Sequence, residues 1–429
     1  MTKRARPAWI VLAALLCTGL ANPGAVGASF AEIHGLGGRA MAMGGAYVAV
    51  ADDYTCMFYN PGGLTQIRGN EASFCYILSA PRVSLSKGGS ESGTYLHDNI
   101  GIPVLGMVLD LSRVFKLKRR ISLGMTGVFP DNFQSGYMVR YGTNFDPYFP
   151  IYGDCHEDRR ISLIFGPSVE ITDWLSAGIG VAFIVHGQYV NIPLYYTLDG
   201  ELIHDRWDLR MDVSTEISPI VGLLFRPSEK LRIGAVWRKK IEFLIADAMI
   251  TTMTAVVLPG FEIPVTVRIP VSAHFTPEQY ALGVSYRFTD TLLVAADVTF
   301  YDWRAYLDNA GSELDPPLEA TIVPRIGVEY GLPGGWVARA GYGYVPSPLK
   351  QQTASVSINY IDSDCHVFSL GAGYLLEIPR ILRHPVDIRA FVQYRHLVER
   401  SFANVHTGGE DLVCGGYYLN SGLELRFAF

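Results

Sequence analysis

Tyr417-Tyr418-Leu419-Asn420-Ser421-Gly422-Leu423-Glu424-Leu425-Arg426-Phe427-Ala428-Phe429 closes the chain, and its alternation decides the fold. Tyr417, Leu419, Leu423, Leu425, Phe427 and Phe429 fall on one face; Tyr418, Asn420, Glu424 and Arg426 fall on the other. Successive side chains of a strand point to opposite faces, so this is a strand with one apolar side. A side of Leu and Phe backed by Glu and Arg suits a wall between lipid and a polar lumen.

The same period recurs upstream. Leu175, Ala177, Ile179, Val181, Phe183 and Val185 alternate with Ser176, Gly178, Gly180, Ala182 and His186. Leu231, Ile233, Ala235 and Trp237 alternate with Arg232, Gly234 and Arg238, and Ile388, Ala390, Val392 and Tyr394 alternate with Arg389, Gln393 and Arg395. Composition agrees with a lipid-facing surface. The chain is 49% apolar and only 18% charged, against about 25% charged in ordinary soluble domains. After the first residues, no stretch reaches the roughly 18 uninterrupted apolar residues of a spanning helix. A bilayer then leaves one solution, a closed ring of strands whose backbone groups bond one another.

Short turn-like links at 117–119, 171–173, 227–229, 288–290, 331–335 and 379–383 separate strand candidates. Between these hairpins lie long polar or proline-bearing stretches at 81–99, 134–157, 191–205, 247–272, 304–320, 346–364 and 401–413. Six short and seven long connections imply an all-β fold, a transmembrane antiparallel β-barrel of about 14 strands, with short turns in the periplasm. The 24 tyrosines, 21 phenylalanines and 44 glycines fit that architecture.

The N-terminus reads differently. Lys3, Arg4 and Arg6, an apolar run from Ala8 to Leu20 and the small residues Val26-Gly27-Ala28 follow the order of a secretory signal peptide. Residues 1–28 are therefore assigned to the signal, 29–69 to an N-terminal hatch (plug) and 70–429 to the barrel. The hatch segment is small, glycine-rich and free of alternation, too short for a core of its own, and is expected to fold against the inside of the barrel. Asp52-Asp53 reads as a helix N-cap before Tyr54.

These residues carry a resemblance to the FadL/TodX family of outer-membrane transporters for long-chain fatty acids and aromatic hydrocarbons. The match begins at Ser29-Phe30, runs through Gly44-Gly45-Ala46 and Ala51-Asp52-Asp53, and reaches Asn60-Pro61-Gly62, where Gly62 stands in place of the family's usual alanine. Later stretches resemble it in the same order: Gly166-Pro167-Ser168-Val169, Ile171 to Gly178, Asp297 to Trp303, Arg339 to Tyr344 and Ser369 to Tyr374. The resemblance implies a fourteen-stranded barrel in the outer membrane of a Gram-negative bacterium, stoppered by the hatch. It further implies passive uptake of hydrophobic compounds, foremost long-chain fatty acids, by binding in the lumen and lateral release at a kink in the third strand. That strand is placed at about 120–133, where Pro130 either opens a gap or simply ends it.

Uptake of a greasy solute needs an apolar cavity and a few polar groups for a head group, with no covalent step. Alternation points Arg232, Arg238, Arg325, Arg339, Arg389, Arg395 and Arg426 inward with Asp212, Glu216, Asp297, Glu329 and Glu424. Either these charges pair across the lumen, or Arg339 or Arg395 holds a carboxylate in a bidentate fork. Asn60, Pro61, Gly62, Pro130, Arg339 and Arg395 are thus the candidate ligand-binding and gating residues.

No nucleophile, base and orienting group share a local pattern, so no enzyme is expected. No cofactor is expected either, and His156-Glu157-Asp158, His366 and His406 lack metal-ligand spacing. A net charge of −6 spread along the chain gives no nucleic-acid footprint. Cys155, Cys365 and Cys414 fall near loops on one side, where a disulfide and independent thiols both remain open. The terminal Phe429 resembles the signal by which barrel assembly machinery recognises its clients, and outer-membrane lipid is the remaining partner. The second reading is a surface binding module for secreted proteins, since Gly44 to Asp53 also resembles related barrels of that kind.

Overall fold

The computed structural model describes residues 34–87, 99–130, 161–186, 189–198, 201–210, 214–258, 261–306, 317–349, 353–354, 362–377, 384–404 and 412–429. Among these, fourteen strands form a ring: β1 (Glu71–Lys87), β2 (Ile100–Asp110), β3 (Ile121–Val128), β4 (Ile161–Glu170), β5 (Leu175–His186), β6 (Ser214–Phe225), β7 (Leu231–Arg238), β8 (Glu278–Arg287), β9 (Leu292–Asp302), β10 (Thr321–Gly331), β11 (Trp336–Val345), β12 (Cys365–Leu376), β13 (Val386–Asn404) and β14 (Leu412–Ala428). Each pairs antiparallel with the next, and β1 closes on β14 from Glu71 opposite Ala428 to Lys87 opposite Leu412. Among the described residues, closure leaves no strand of the ring without a neighbour on each side, which is what hydrocarbon demands of backbone amides.

The alternation read from the sequence sorts the side chains as expected. On β14, Leu419, Leu423 and Phe427 are exposed outward, while Tyr418, Asn420 and Glu424 are buried inward. On β1, Phe74, Tyr76 and Leu78 face out, with Cys75, Ile77 and Ser79 facing in. Rings such as Trp174, Tyr286, Tyr330 and Trp336 stand exposed near the short turns, the level at which such side chains mark a membrane interface.

Two of the stretches expected as loops are strands instead. Tyr189–Leu198 pairs with Glu201–Arg210, Ile241–Leu258 pairs with Phe261–Thr276, and the two hairpins join into a four-stranded sheet. Pro193, Pro264 and Pro270 suggested loops, but they lie on the two edge strands of that sheet, where a missing N–H is tolerated. Likewise β1 runs past Pro81 to Lys87, where among the described residues β14 alone is bonded beside it. The third strand is shorter than expected and stops at Val128.

Residues 34–67 touch the inner faces of strands all round the ring. They form two short helices, α1 (Gly38–Ala42) and α2 (Cys56–Tyr59), and a 3-10 turn over Pro61–Gln66. The wall is bare where they meet it. A Cβ on Gly178 would come within 2.4 Å of Pro61, one on Gly222 within 2.2 Å of the Asn60 amide, one on Gly234 within 2.3 Å of the Val48 carbonyl, and one on Gly341 within 2.1 Å of Met43. Gly178 faces Gly222 across β5 and β6, Gly234 faces Gly283 across β7 and β8, and Gly327 faces Gly341 across β10 and β11. The many glycines thus serve backbone-to-backbone approach as well as turns. On the inner segment, Gly44 and Gly45 take φ of 67° and 81°, which turns the chain after α1 in a conformation that favours glycine.

Adding a side chain to this seat overpacks it. Gly222→Val is expected to cost about 1–3 kcal/mol, read as a lower midpoint in urea unfolding. Gly331→Val, where the nearest atom to a new Cβ is 3.5 Å away, is expected to stay within about 0.5 kcal/mol.

Candidate functional site

The inner segment is held by charge on one side. Arg389 on β13 is 2% exposed and reaches Asp53 (2.6 Å), Glu424 (2.8 Å) and Asp387 (2.8 Å). Glu424 in turn accepts from the Gly38 amide at 2.7 Å and the Tyr54 hydroxyl at 3.1 Å. Arg39 on α1 pairs with Asp52 and makes a fork on Glu329 at 2.6 and 2.8 Å, while Arg339 shares that carboxylate at 2.7 Å. Asp297 accepts from the amides of Tyr47 (2.5 Å) and Val48 (2.8 Å). Most of these charges are paired inside the ring, though Arg339 Nη1 and Asp297 Oδ1 find no partner among the described residues, and such a network is costly to break at one member.

Asp53 is therefore a wall contact more than a cap, while Asp52 pairs with Arg39 of the segment and reaches Arg232 on β7 at 3.5 Å. Asp53 does accept from the Thr55 amide at 3.0 Å, but α2 starts at Cys56 and its capping residue is Thr55. Burial by itself raises the Asp53 carboxyl, yet Arg389 and the Thr55 hydroxyl outweigh it and hold the group below the usual carboxylate range. The sequence carried a signal for this. Arg39 and Asp53 lie in a segment with no core of its own, and each takes a partner from the wall, Glu329 and Arg389.

On the other side, Asn60, fully buried, does the holding. Its Nδ2 donates to the carbonyls of Val48 (2.8 Å) and Leu223 (3.0 Å), and its Oδ1 accepts from the Gly62 amide at 3.0 Å. Pro61 opens the 3-10 turn against Gly178 and Gly222. At Gly62 a Cβ would stand 2.8 Å from the Gly222 carbonyl, so glycine in place of alanine fits this seat.

Between the segment and strands β7 to β13 lies a cavity partly open to solvent. Met41, Val48, Phe58, Tyr59, Val236 and Val367 give it apolar walls; Arg238, Arg325 and Arg395 supply charge. A second cavity adjoins it, lined by Trp303, Val323, Pro348, Leu397 and Tyr418 among others. Tyr301, Arg325, Val345 and Arg395 line both and stand at the junction. Arg325 donates to Thr299 (2.9 Å) and to the Tyr301 hydroxyl (3.1 Å). Arg238 lies over the Phe58 ring, 4.3 Å from its centre. Arg395 is 8% exposed, its Nε has no hydrogen-bond partner, and no carboxylate among the described residues pairs with it. Asp362, in the loop before β12, also lines the second cavity, and burial pushes its carboxyl up to about 7. Beside the first cavity, burial and then Arg395 push His34 well below the ordinary imidazole range, which keeps it neutral.

The six candidates from the sequence are thus dispersed. Asn60, Pro61 and Gly62 seat the inner segment, Arg339 is taken up by Glu329, and Arg395 faces the cavities. Pro130 lies two residues beyond the end of β3, and Phe129 between them still donates to the Pro103 carbonyl at 2.9 Å. The chain immediately after Pro130 is outside the described residues. Of the inward charges expected from alternation, Asp212 and the side chain of Glu216 are outside them as well. Tyr301 and Gln393, which also line the cavity, were missed, since neither belongs to a motif. Cys365 and Cys414 carry free thiols, and Cys155, His156 to Asp158 and His406 lie outside the described residues. His366 bonds the Tyr342 hydroxyl at 2.9 Å.

A family model described as outer membrane protein transport protein (OMPP1/FadL/TodX) matches residues 15–382. The chain belongs to this family. It is accordingly an outer-membrane transporter of hydrophobic compounds, from a family of transport channels rather than enzymes. Alkane uptake protein A of Marinobacter nauticus is 24% identical over 392 residues, covering 84% of this chain and 82% of its own length. Among solved structures, a Pseudomonas aeruginosa FadL homologue superposes with a TM-score of 0.65 at 16% identity, over 95% of this chain and 99% of that one. The Pseudomonas putida toluene transporter TodX gives 0.61 at 18% identity, over 92% and 99%. At these identities the structures speak for the FadL/TodX fold, a closed barrel of fourteen strands.

Arg389→Met would strand three carboxylates in the lumen and is expected to destabilise the protein by about 3–5 kcal/mol, measured by urea unfolding. Because folding lowers the Asp53 pKa, its contribution is complete above the ordinary aspartate value near about 4 and is lost as pH falls below it. Hydrogen exchange of residues 38–59, corrected for intrinsic rate, should therefore accelerate on acidification through that range.

Proposed function

We propose that this protein takes up long-chain fatty acids, binding them in the lumen and releasing them sideways beside β3. The carrying observation is Arg395, buried at the junction of two cavities with no carboxylate partner among the described residues. A buried guanidinium in that condition favours a ligand that brings a carboxylate. Arg325, turned to the same junction and bonded to two hydroxyls among the described residues, is the second half of the anchor. Arg339, already engaged by Glu329, is left out of it. The apolar walls receive the chain of the fatty acid. Residues 29–69 act as the hatch and Asn60-Pro61-Gly62 as its catch, while Pro130 marks the strand end beside which release occurs. Residues 1–28 serve as a cleaved signal, and Phe429 as the handle for barrel assembly.

A second reading, hydrocarbons without a head group, is favoured by the likeness to an alkane uptake protein and toluene transporters. The two part at Arg395. In cells lacking and regaining the protein, uptake of labelled oleate should follow the protein, and Arg395→Leu should lower oleate affinity by about 10- to 100-fold while sparing hexadecane. Oleate uptake that ignores the protein, or a variant that binds oleate as well as the parent, would refute the fatty-acid reading.

A further inference from the structure

The connection between β2 and β3 is built as more than a turn. Asp110 caps a short helix, α3 (Leu111–Phe115), by accepting from the Ser112 amide at 3.1 Å. Lys116 ends it with φ of 50°, the one non-glycine residue at positive φ among the described residues. That left-handed step displays Phe115, 65% exposed, and Leu117, 42% exposed, between the exposed cations Lys116, Lys118 and Arg119. Arg120 turns the other way, donating to the Thr65 carbonyl at 2.6 Å inside the ring.

The neighbouring β4–β5 turn completes the surface. Arg119 reaches Asp173 at 2.6 Å and ties the two turns together. Ile171 and Trp174 of that turn are exposed, and the Trp174 ring meets Phe225 of β6 edge-on at 5.3 Å. The apolar strip is therefore continuous with the lipid-facing wall. Three cations stand beside it against one carboxylate of these turns, Asp173, which Arg119 already engages.

Short turns of such barrels lie on the periplasmic side, where the leaflet is phospholipid. Exposed Phe, Leu and Trp beside Lys and Arg suit one kind of neighbour: acyl chains to cover the rings and a phosphate for the cations. A free phosphate would leave the apolar half of this surface unexplained. A zwitterionic headgroup would leave the excess positive charge unmatched. We propose that turns 111–120 and 171–174 together bind an anionic phospholipid of the periplasmic leaflet, with its phosphate on Lys116, Lys118 and Arg119 and its chains along Phe115, Leu117 and Trp174.

The test uses the full-length protein in detergent with equal amounts of phosphatidylglycerol and phosphatidylcholine, examined by native mass spectrometry. Retained phosphatidylglycerol should exceed phosphatidylcholine by about fivefold or more, and the triple variant K116Q/K118Q/R119Q should bring the two to parity. F115S/L117S should weaken retention of both lipids and leave their ratio alone. Variants are compared only as folded barrels, recognised by their heat-modifiable mobility on gels. Equal retention by the parent overturns the proposal, as does a triple variant that keeps the preference. Displacement of phosphatidylglycerol by inorganic phosphate would mark a bare anion site and overturn it equally.

Discussion

Backbone amides that face hydrocarbon have no water to bond, and the structure of this protein follows from that constraint. It forces each strand to pair on both sides, and so forces the first strand onto the last. Ring closure then fixes an inside and an outside, and period two distributes side chains between them. The interior obtained in this way is too wide for strand side chains to fill with an ordinary core. It is filled by residues 34–67, whose own polar groups must in turn find partners on the wall.

Two kinds of contact meet that need, and their balance differs around the ring. Towards β10, β13 and β14 the segment is held by ion pairs centred on Arg389 and Glu329. Towards β5, β6 and β7 it rests largely on bare backbone, with polar links from Asn60 to Leu223, from Thr65 to Ser176 and from the Phe58 carbonyl to Arg238. The cavities lie against the same segment, with Arg325 and Arg395 at their junction. An outer-membrane transporter of hydrophobic compounds thus has a filled lumen with an apolar space beside the filling.

Much of this was legible in the sequence, because a lipid-facing wall writes itself as alternation. Leu419 to Phe427 and Ile179 to Phe183 gave the faces directly, and the count of connections gave the ring. What failed to show was whatever depends on edges or on distance in the chain. Pro264 and Pro270 looked like loop residues since no local rule says which strand is an edge. The bond between Asp53 and Arg389 spans 336 positions, and no periodicity encodes it. Arg339 and Arg395 were equivalent by alternation; only the placement of Glu329 beside one of them tells them apart.

The facing glycines carry a consequence for assembly. Gly178 with Gly222, Gly234 with Gly283, and Gly327 with Gly341 form a waist without side chains, and glycine is a poor strand former when nothing packs on it. An empty cylinder of this sequence would be slack at its middle, like a hoop lacking its former. The inner segment supplies at that level the packing that these strands lack, and so serves as the former of the hoop.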